Sequence, residues 1–113
     1  MKKPTIEFAD FLKLDARAGE IKTAAKIEGS NKLLELSLDL GEEYGIVTIL
    51  SGIAKHYTPE SLIGKKVPVV ANLAPKEMAG KVSNGFILMV DLPSHIPLLI
   101  ELLTSTPNGS ILC

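Results

Sequence analysis

Leucines at 34, 36, 38 and 40 alternate strictly with Glu35, Ser37 and Asp39, the period-two pattern of a strand with one face in a core and the other toward water. Turn chemistry brackets this run, with Glu28-Gly29-Ser30-Asn31 before it and Gly41-Glu42-Glu43 after it. Tyr44 to Ser51 carries β-branched Ile46, Val47, Thr48 and Ile49 and predicts a second strand, paired with the first as a hairpin. Upstream, Leu14 to Lys26 sets Leu14, Ala16 and Ala18 against Asp15, Arg17 and Gly19, a strand expected to bend at its glycine. Ile6, Phe8, Phe11 and Leu12 have the mixed spacing of a short amphipathic helical turn, with both phenylalanines expected inside.

The period then changes. Thr58-Pro59-Glu60-Ser61-Leu62-Ile63-Gly64 offers a capping hydroxyl, proline at the first helical position, an early acid and a terminal glycine, which predicts a helix of one to two turns over Pro59 to Ile63. Two further apolar, β-prone runs follow, Val67 to Ala71 and Phe86 to Val90, separated by a polar loop. Three strands, a short helix and two strands make the order of a five-stranded OB-fold barrel, an all-β class whose helix lies between its third and fourth strands. Pro68 lacks an amide donor and is expected at an edge or bulge. Residues 92–113 form a C-terminal extension broken by Pro93, Pro97 and Pro107.

The chain has 113 residues, 46% of them hydrophobic and 22% charged, so residues 1–113 are expected to form a single domain without disulfide or metal support. Cys113 stands alone, and His56 and His95 have no neighbours at zinc-ligand spacing, so no metal or other cofactor is expected. No nucleophile elbow or phosphate-binding glycine loop occurs, and the reading is of a binding protein and not an enzyme. The apolar region Phe86 to Leu103 is interrupted by Asp91, Pro93, Ser94, His95 and Pro97, short of the ~20 apolar residues a spanning helix needs. Glu7 and Asp10 fall where a signal peptide would be apolar, so a cytoplasmic location with no membrane partner is expected.

A formal net charge of −1 is unlike a general nucleic-acid binder. Charge is unevenly placed, however: from Gly52 to Gly85 there are five lysines, Lys55, Lys65, Lys66, Lys76 and Lys81, against Glu60 and Glu77. Val70-Ala71-Asn72-Leu73-Ala74-Pro75-Lys76, then Gly80, then Ser83-Asn84-Gly85-Phe86, closely resembles the signature of the tRNA-binding domain family. That family includes the C-terminal domain of methionyl-tRNA synthetases, cytokine-like domains of synthetase-associated proteins and free-standing dimeric tRNA-binding proteins. Blocks at Asp10 to Ile21, Glu28 to Leu34, Ser51 to Glu60 and Leu62 to Lys66 agree in order, so the resemblance covers residues 6–91 well and the tail weakly. Glu77, Val82, Phe86 and Val47 depart from it, the first and last where a basic residue is common.

The resemblance implies a module that recognises folded tRNA by shape, acting in trans alone or beside an aminoacyl-tRNA synthetase such as methionyl-tRNA synthetase. It makes Arg17, Lys32, Lys55, Lys65, Lys66, Asn72, Lys76, Lys81, Ser83, Asn84, Gly85 and Phe86 the candidate RNA-binding residues. Arg17 stands equally as a phosphate contact or as half of an ion pair with Asp15, and the asparagines, glycines and serine stand equally as turn residues. With Phe8, Phe11, Phe86, Tyr44 and Tyr57 as its aromatics, the chain is not expected to rely on base stacking. Two other classes stay open, an export-related chaperone of the same family that binds unfolded peptides and a purely structural dimerisation domain. Ile96 to Leu103 holds one charge, Glu101, among apolar residues on both faces, which predicts a homodimer buried through the tail.

Overall fold

The computed structural model describes residues 1–113. A four-residue helix α1 (Phe8–Phe11) precedes three strands, β1 (Ala16–Lys26), β2 (Leu34–Asp39) and β3 (Ile46–Ser51), and then a second four-residue helix α2 (Pro59–Leu62). The chain continues through β4 (Lys66–Val70), β5 (Lys76–Met78), β6 (Lys81–Ser83), β7 (Phe86–Ile87), β8 (Met89–Leu92) and β9 (Ile96–Leu99). Five strands form one antiparallel sheet in the order β3-β2-β1-β4-β7, and two hairpins, β5-β6 and β8-β9, stand apart from it. This is the all-β, OB-like architecture, a sheet curled into a half-barrel.

β1 is the spine because it serves two partners in turn. Ala16 to Glu20 pairs with β4, while Glu20 to Lys26 pairs with β2, so Glu20 lies opposite both Lys66 and Asp39. Gly19 sits at this handover, where an added Cβ would lie 2.6 Å from Leu40 Cδ2, so the missing side chain lets the sheet curl onto its own core. β2 realises the alternation of its leucines: Leu34, Leu36, Leu38 and Leu40 are fully buried, each burial stabilising the fold by roughly 1.5–3 kcal/mol. Ile21, Ile49, Ile53, Leu62, Val67, Val69, Ile87 and Leu99 complete that core.

The structure revises four local expectations. Pro68 is buried inside β4, a central strand, opposite Ala18, and its carbonyl accepts from the Leu88 amide. The donor it lacks leaves β4-β7 pairing at only Val69 and Val70, after which the chain swings away into β8. The single strand expected over Phe86 to Val90 is therefore two strands with different partners. Thr58 precedes α2 without capping it by its side chain. Phe8 and Phe11 are 70% and 44% exposed and lean on each other at 5.7 Å, because α1 stands off the barrel with no buried residue.

The tail is part of the barrel. Gly109 and Leu112 amides donate to the carbonyls of Ala18 and Ala16, at 2.8 and 2.9 Å, and the Ala18 amide donates to Ser110 at 2.8 Å. Residues 109–112 thus cover the edge of β1 that β2 leaves open, with Arg17 bridged to Ile111. Gly41 and Gly109, both at positive φ, let the β2-β3 turn and the tail meet backbone to backbone. Leu99 is buried in the chain's own core, while Ile96, Leu98, Ile100 and Leu103 of the same segment stay exposed, so the apolar tail surface expected from the sequence is present without it.

Candidate nucleic-acid interface

The loop after β4 is pinned at both ends by residues of the Asn72 and Ser83-Asn84-Gly85 motifs. Asn72 Oδ1 accepts from the Asp15 amide at 2.8 Å and its Nδ2 donates to the Lys13 carbonyl at 2.7 Å, tying the loop to the segment before β1. At the other end the Leu50 amide donates to the buried Ser83 Oγ at 2.9 Å, and the Asn84 amide donates to Thr48 at 2.8 Å. These two bonds close the side of the half-barrel between β3 and β7 that sheet pairing leaves open. Gly85 has φ 107°, and a Cβ there would lie 3.0 Å from the Val70 carbonyl oxygen, so glycine is required where the chain turns into β7.

That closure aims Phe86 outward. Its ring is 56% exposed and stands over a groove of about 440 Å³ bounded by the end of β3, the β5-β6 hairpin and the loop between them. Leu73, Met78, Ile49 and Ile87 give the groove an apolar wall, Ser51 and Gly52 run along it, and Lys76 borders it with an ammonium that makes no ion pair. A second depression of about 360 Å³ continues past Phe86 toward Met89 and Pro97 and shares Ser51, Gly52, Phe86 and Ile87 with the first. Ser51 and Gly52 lay within a block that resembled the family, but nothing in their side chains marked them as site residues.

The lysines divide into free and engaged. Lys32, Lys55 and Lys76 are exposed and unpaired; the Ala54 amide donates to the Lys32 carbonyl, which sets Lys32 against the turn that follows Gly52 and carries Lys55. Lys81 reaches Glu35 at 3.3 Å across the β2-β3 side. Lys65 pairs with Glu101 at 3.2 Å and Lys66 donates to the Thr106 carbonyl, so both hold the tail in place.

Arg17 is likewise a structural cation. It is 7% exposed, donates to both carboxylate oxygens of Asp15 at 2.7 and 3.2 Å, and gives Nη1 to Glu43 at 3.0 Å and to the Gly109 carbonyl at 3.2 Å. Its guanidinium also lies 5.4 Å from the Tyr44 ring centre, and the Tyr44 hydroxyl donates to Asp15 at 2.6 Å. Arg17, and after it the Tyr44 hydroxyl, hold the Asp15 carboxyl below its ordinary range, while the same hydrogen bond pushes the Tyr44 phenol up. With four of its five N–H donors taken by its own chain and the residue buried, Arg17 serves as an ion-pair residue and not as an exposed phosphate contact.

Residues 16–110 match the model of the putative tRNA-binding domain, which extends the family likeness through most of the tail. The chain is 43% identical over 110 residues to methionine–tRNA ligase of Oceanobacillus iheyensis, covering 96% of this chain and 16% of the ligase. It is 45% identical over 114 residues to the Streptococcus pneumoniae enzyme, covering 99% of this chain and 17% of that one. The chain thus spans about a sixth of the length of these curated relatives. Among solved structures, a MetRS-related protein from Pyrococcus horikoshii superposes with a TM-score of 0.91 at 32% identity, covering 98% of this chain and 100% of that one. The chaperone CsaA from Bacillus anthracis gives 0.87 at 31% identity, covering 97% and 100%. The similarity to the ligases lies within this binding module, and the chain belongs to the putative tRNA-binding domain family.

Proposed function

We propose that the chain binds folded tRNA by shape and phosphate contacts, in trans, alone or beside an aminoacyl-tRNA synthetase such as methionyl-tRNA synthetase, and performs no catalysis. The observation that carries this reading is the groove beside Phe86, bordered by Lys76, on a domain of this family, with exposed Lys32 and Lys55 on the segments next to Gly52. Asn84, whose side chain makes no hydrogen bond, and Lys81 complete the proposed RNA face, while Lys65, Lys66, Arg17, Asn72 and Ser83 build the scaffold beneath it. A cytoplasmic location follows from that role; no helix is long and apolar enough to cross a membrane.

One observation favours a second reading. The groove walls are mostly apolar, and a structural neighbour is a chaperone, so an unfolded peptide is the competing ligand. Filter binding with total tRNA at low and moderate salt, with and without excess reduced, unfolded polypeptide, tests the two together. The tRNA reading expects saturable retention that weakens with salt and survives the competitor. No retention at about 50 mM salt, in a protein that binds the unfolded polypeptide, refutes it.

We also propose a homodimer, and beside the exposed tail residues Ile96, Leu98 and Leu103 a second apolar surface is available to it. Ile6, Phe8 and Leu12 are at least 64% exposed on and around α1, and beside them Phe11, Leu14, Leu88 and Ile111 line a wholly apolar cavity of about 220 Å³. An apolar patch of this kind is stabilised by a twofold copy at ~25 cal/mol per Å² buried. Light scattering is expected to give twice the 12.1 kDa chain mass, falling to one chain mass for Phe8→Asp with Leu12→Asp. A wild-type mass of a single chain at micromolar concentration would refute the dimer.

A further inference from the structure

Five aromatic side chains exist, and four are already occupied. The Tyr44 ring and hydroxyl face Arg17 and Asp15, and the Tyr57 hydroxyl donates to the Pro97 carbonyl and accepts from the Leu99 amide. Phe8 and Phe11 lean on each other and line neither half of the groove. Phe86 alone presents a ring to the groove, at the point where its two halves join. Gly52 lines both halves of the groove with Phe86 and adds no side chain to it, and a Cβ there would meet nothing within 4 Å, so the groove beside the ring has room for a flat group.

Such a slot is apolar on its faces and cationic at its margin, with Lys76 in the wall and Lys55 near Gly52. An apolar peptide side chain would fill the slot and leave the ammonium groups without a partner. A nucleotide satisfies both, because its base has a π-face for the ring and its phosphate an anion for the lysines. The volume of about 440 Å³ lies within the ~300–1,000 Å³ common for pockets that bury a small ligand. We propose that Phe86 stacks an unpaired nucleobase of the bound RNA in the Gly52 groove, with the adjacent phosphate on Lys76. This subsite rests on the RNA-binding reading and adds to it a preference for RNA that exposes an unstacked base.

The test uses three variants of the full chain: Phe86→Leu, which keeps an apolar contact without a ring; Phe86→Trp, which keeps stacking; and Gly52→Leu, which fills the slot from a position free of strain and clash. Each is titrated with folded tRNA, a short unstructured oligoribonucleotide and a blunt RNA duplex. Phe86→Leu and Gly52→Leu are expected to weaken tRNA and oligoribonucleotide binding by ~5- to 150-fold, the worth of one stacked base, with duplex affinity and the salt slope unchanged. Phe86→Trp is expected to retain affinity, and because the chain has no tryptophan its fluorescence reports on this site alone, quenched by the unpaired RNA and not by the duplex. Wild-type affinity for tRNA and oligoribonucleotide in Phe86→Leu, or equal losses on all three ligands, would overturn the stacking subsite and leave RNA binding standing. Failure of the wild-type protein to hold any RNA would overturn both.

Discussion

Alanine at Gly109 is expected to lower the free energy of unfolding by about 2–5 kcal/mol, and alanine at Gly41 by a similar amount. Both residues adopt positive φ, 86° and 85°, which costs a side-chain-bearing residue roughly 1–2 kcal/mol. The larger part is a backbone collision. A Cβ on Gly109 would sit 2.6 Å from the Leu40 carbonyl oxygen, and one on Gly41 would sit 2.7 Å from the Asn108 carbonyl oxygen. Neither oxygen belongs to a flexible side chain, so relief requires the tail to move off β1, with loss of its bonds to Ala16 and Ala18 and of the Gly109 carbonyl from Arg17. Gly29→Ala is the control, since Gly29 has φ 84° with open space around it and should cost the conformational part alone. Urea titration followed by circular dichroism reads all three, together with the Gly41→Ala, Gly109→Ala double variant. The double variant should lose less than the sum, because both changes strike one contact. A Gly109→Ala loss no greater than that of Gly29→Ala would mean that the tail is not docked there.

Removing Lys32, Lys55 and Lys76 together is expected to flatten the log-log salt dependence of tRNA binding by about 2 to 3, somewhat under 1 for each phosphate-contacting lysine. The wild-type slope should be about −2 to −3 or slightly steeper, shallow beside strongly basic binders, as suits a chain of net charge −1. Changing Lys65 and Lys66 instead should leave the slope in place and lower stability, because their ammonium groups hold Glu101 and the Thr106 carbonyl. The reverse result, a flattened slope for the Lys65, Lys66 pair and none for the other three, would put the RNA on the tail side of β4.

The division between those two sets of lysines could not have been drawn from sequence. These five lysines look alike in one dimension, and what separates them is whether a distant acceptor folds back onto them. Glu101 and Thr106 do so for Lys65 and Lys66 because residues 109–112 pair with β1, a backbone interaction with no side-chain pattern to announce it. The same limit applies at α1: the spacing of Phe8, Phe11 and Leu12 indicates an apolar face, while the presence of something to cover it depends on where the helix lands. Pro68 is a subtler case. A missing donor is tolerated in a central strand when the partner strand ends there, and only the departure of β8 from β7 makes that so.

What the amino-acid order determined by itself was the local grammar and the family: the buried face of β2 from alternate leucines, the short helix at Pro59, the order of the main strands, and the Asn72 and Ser83-Asn84-Gly85-Phe86 motifs. The strands and the helix rest on periods of two residues and on turn preferences, which act between near neighbours, while the family rests on the resemblance that the motifs carry. Tertiary structure decided what each motif residue does. It turned Asn72 and Ser83 into clips that close the barrel, buried Arg17 among two carboxylates and a carbonyl, and left Phe86 and Lys76 beside an open groove. The physical reason is that a polar side chain becomes scaffold or surface according to whether partners from remote segments satisfy it, and those partners meet only when the sheet curls at Gly19 and the tail docks at Gly41.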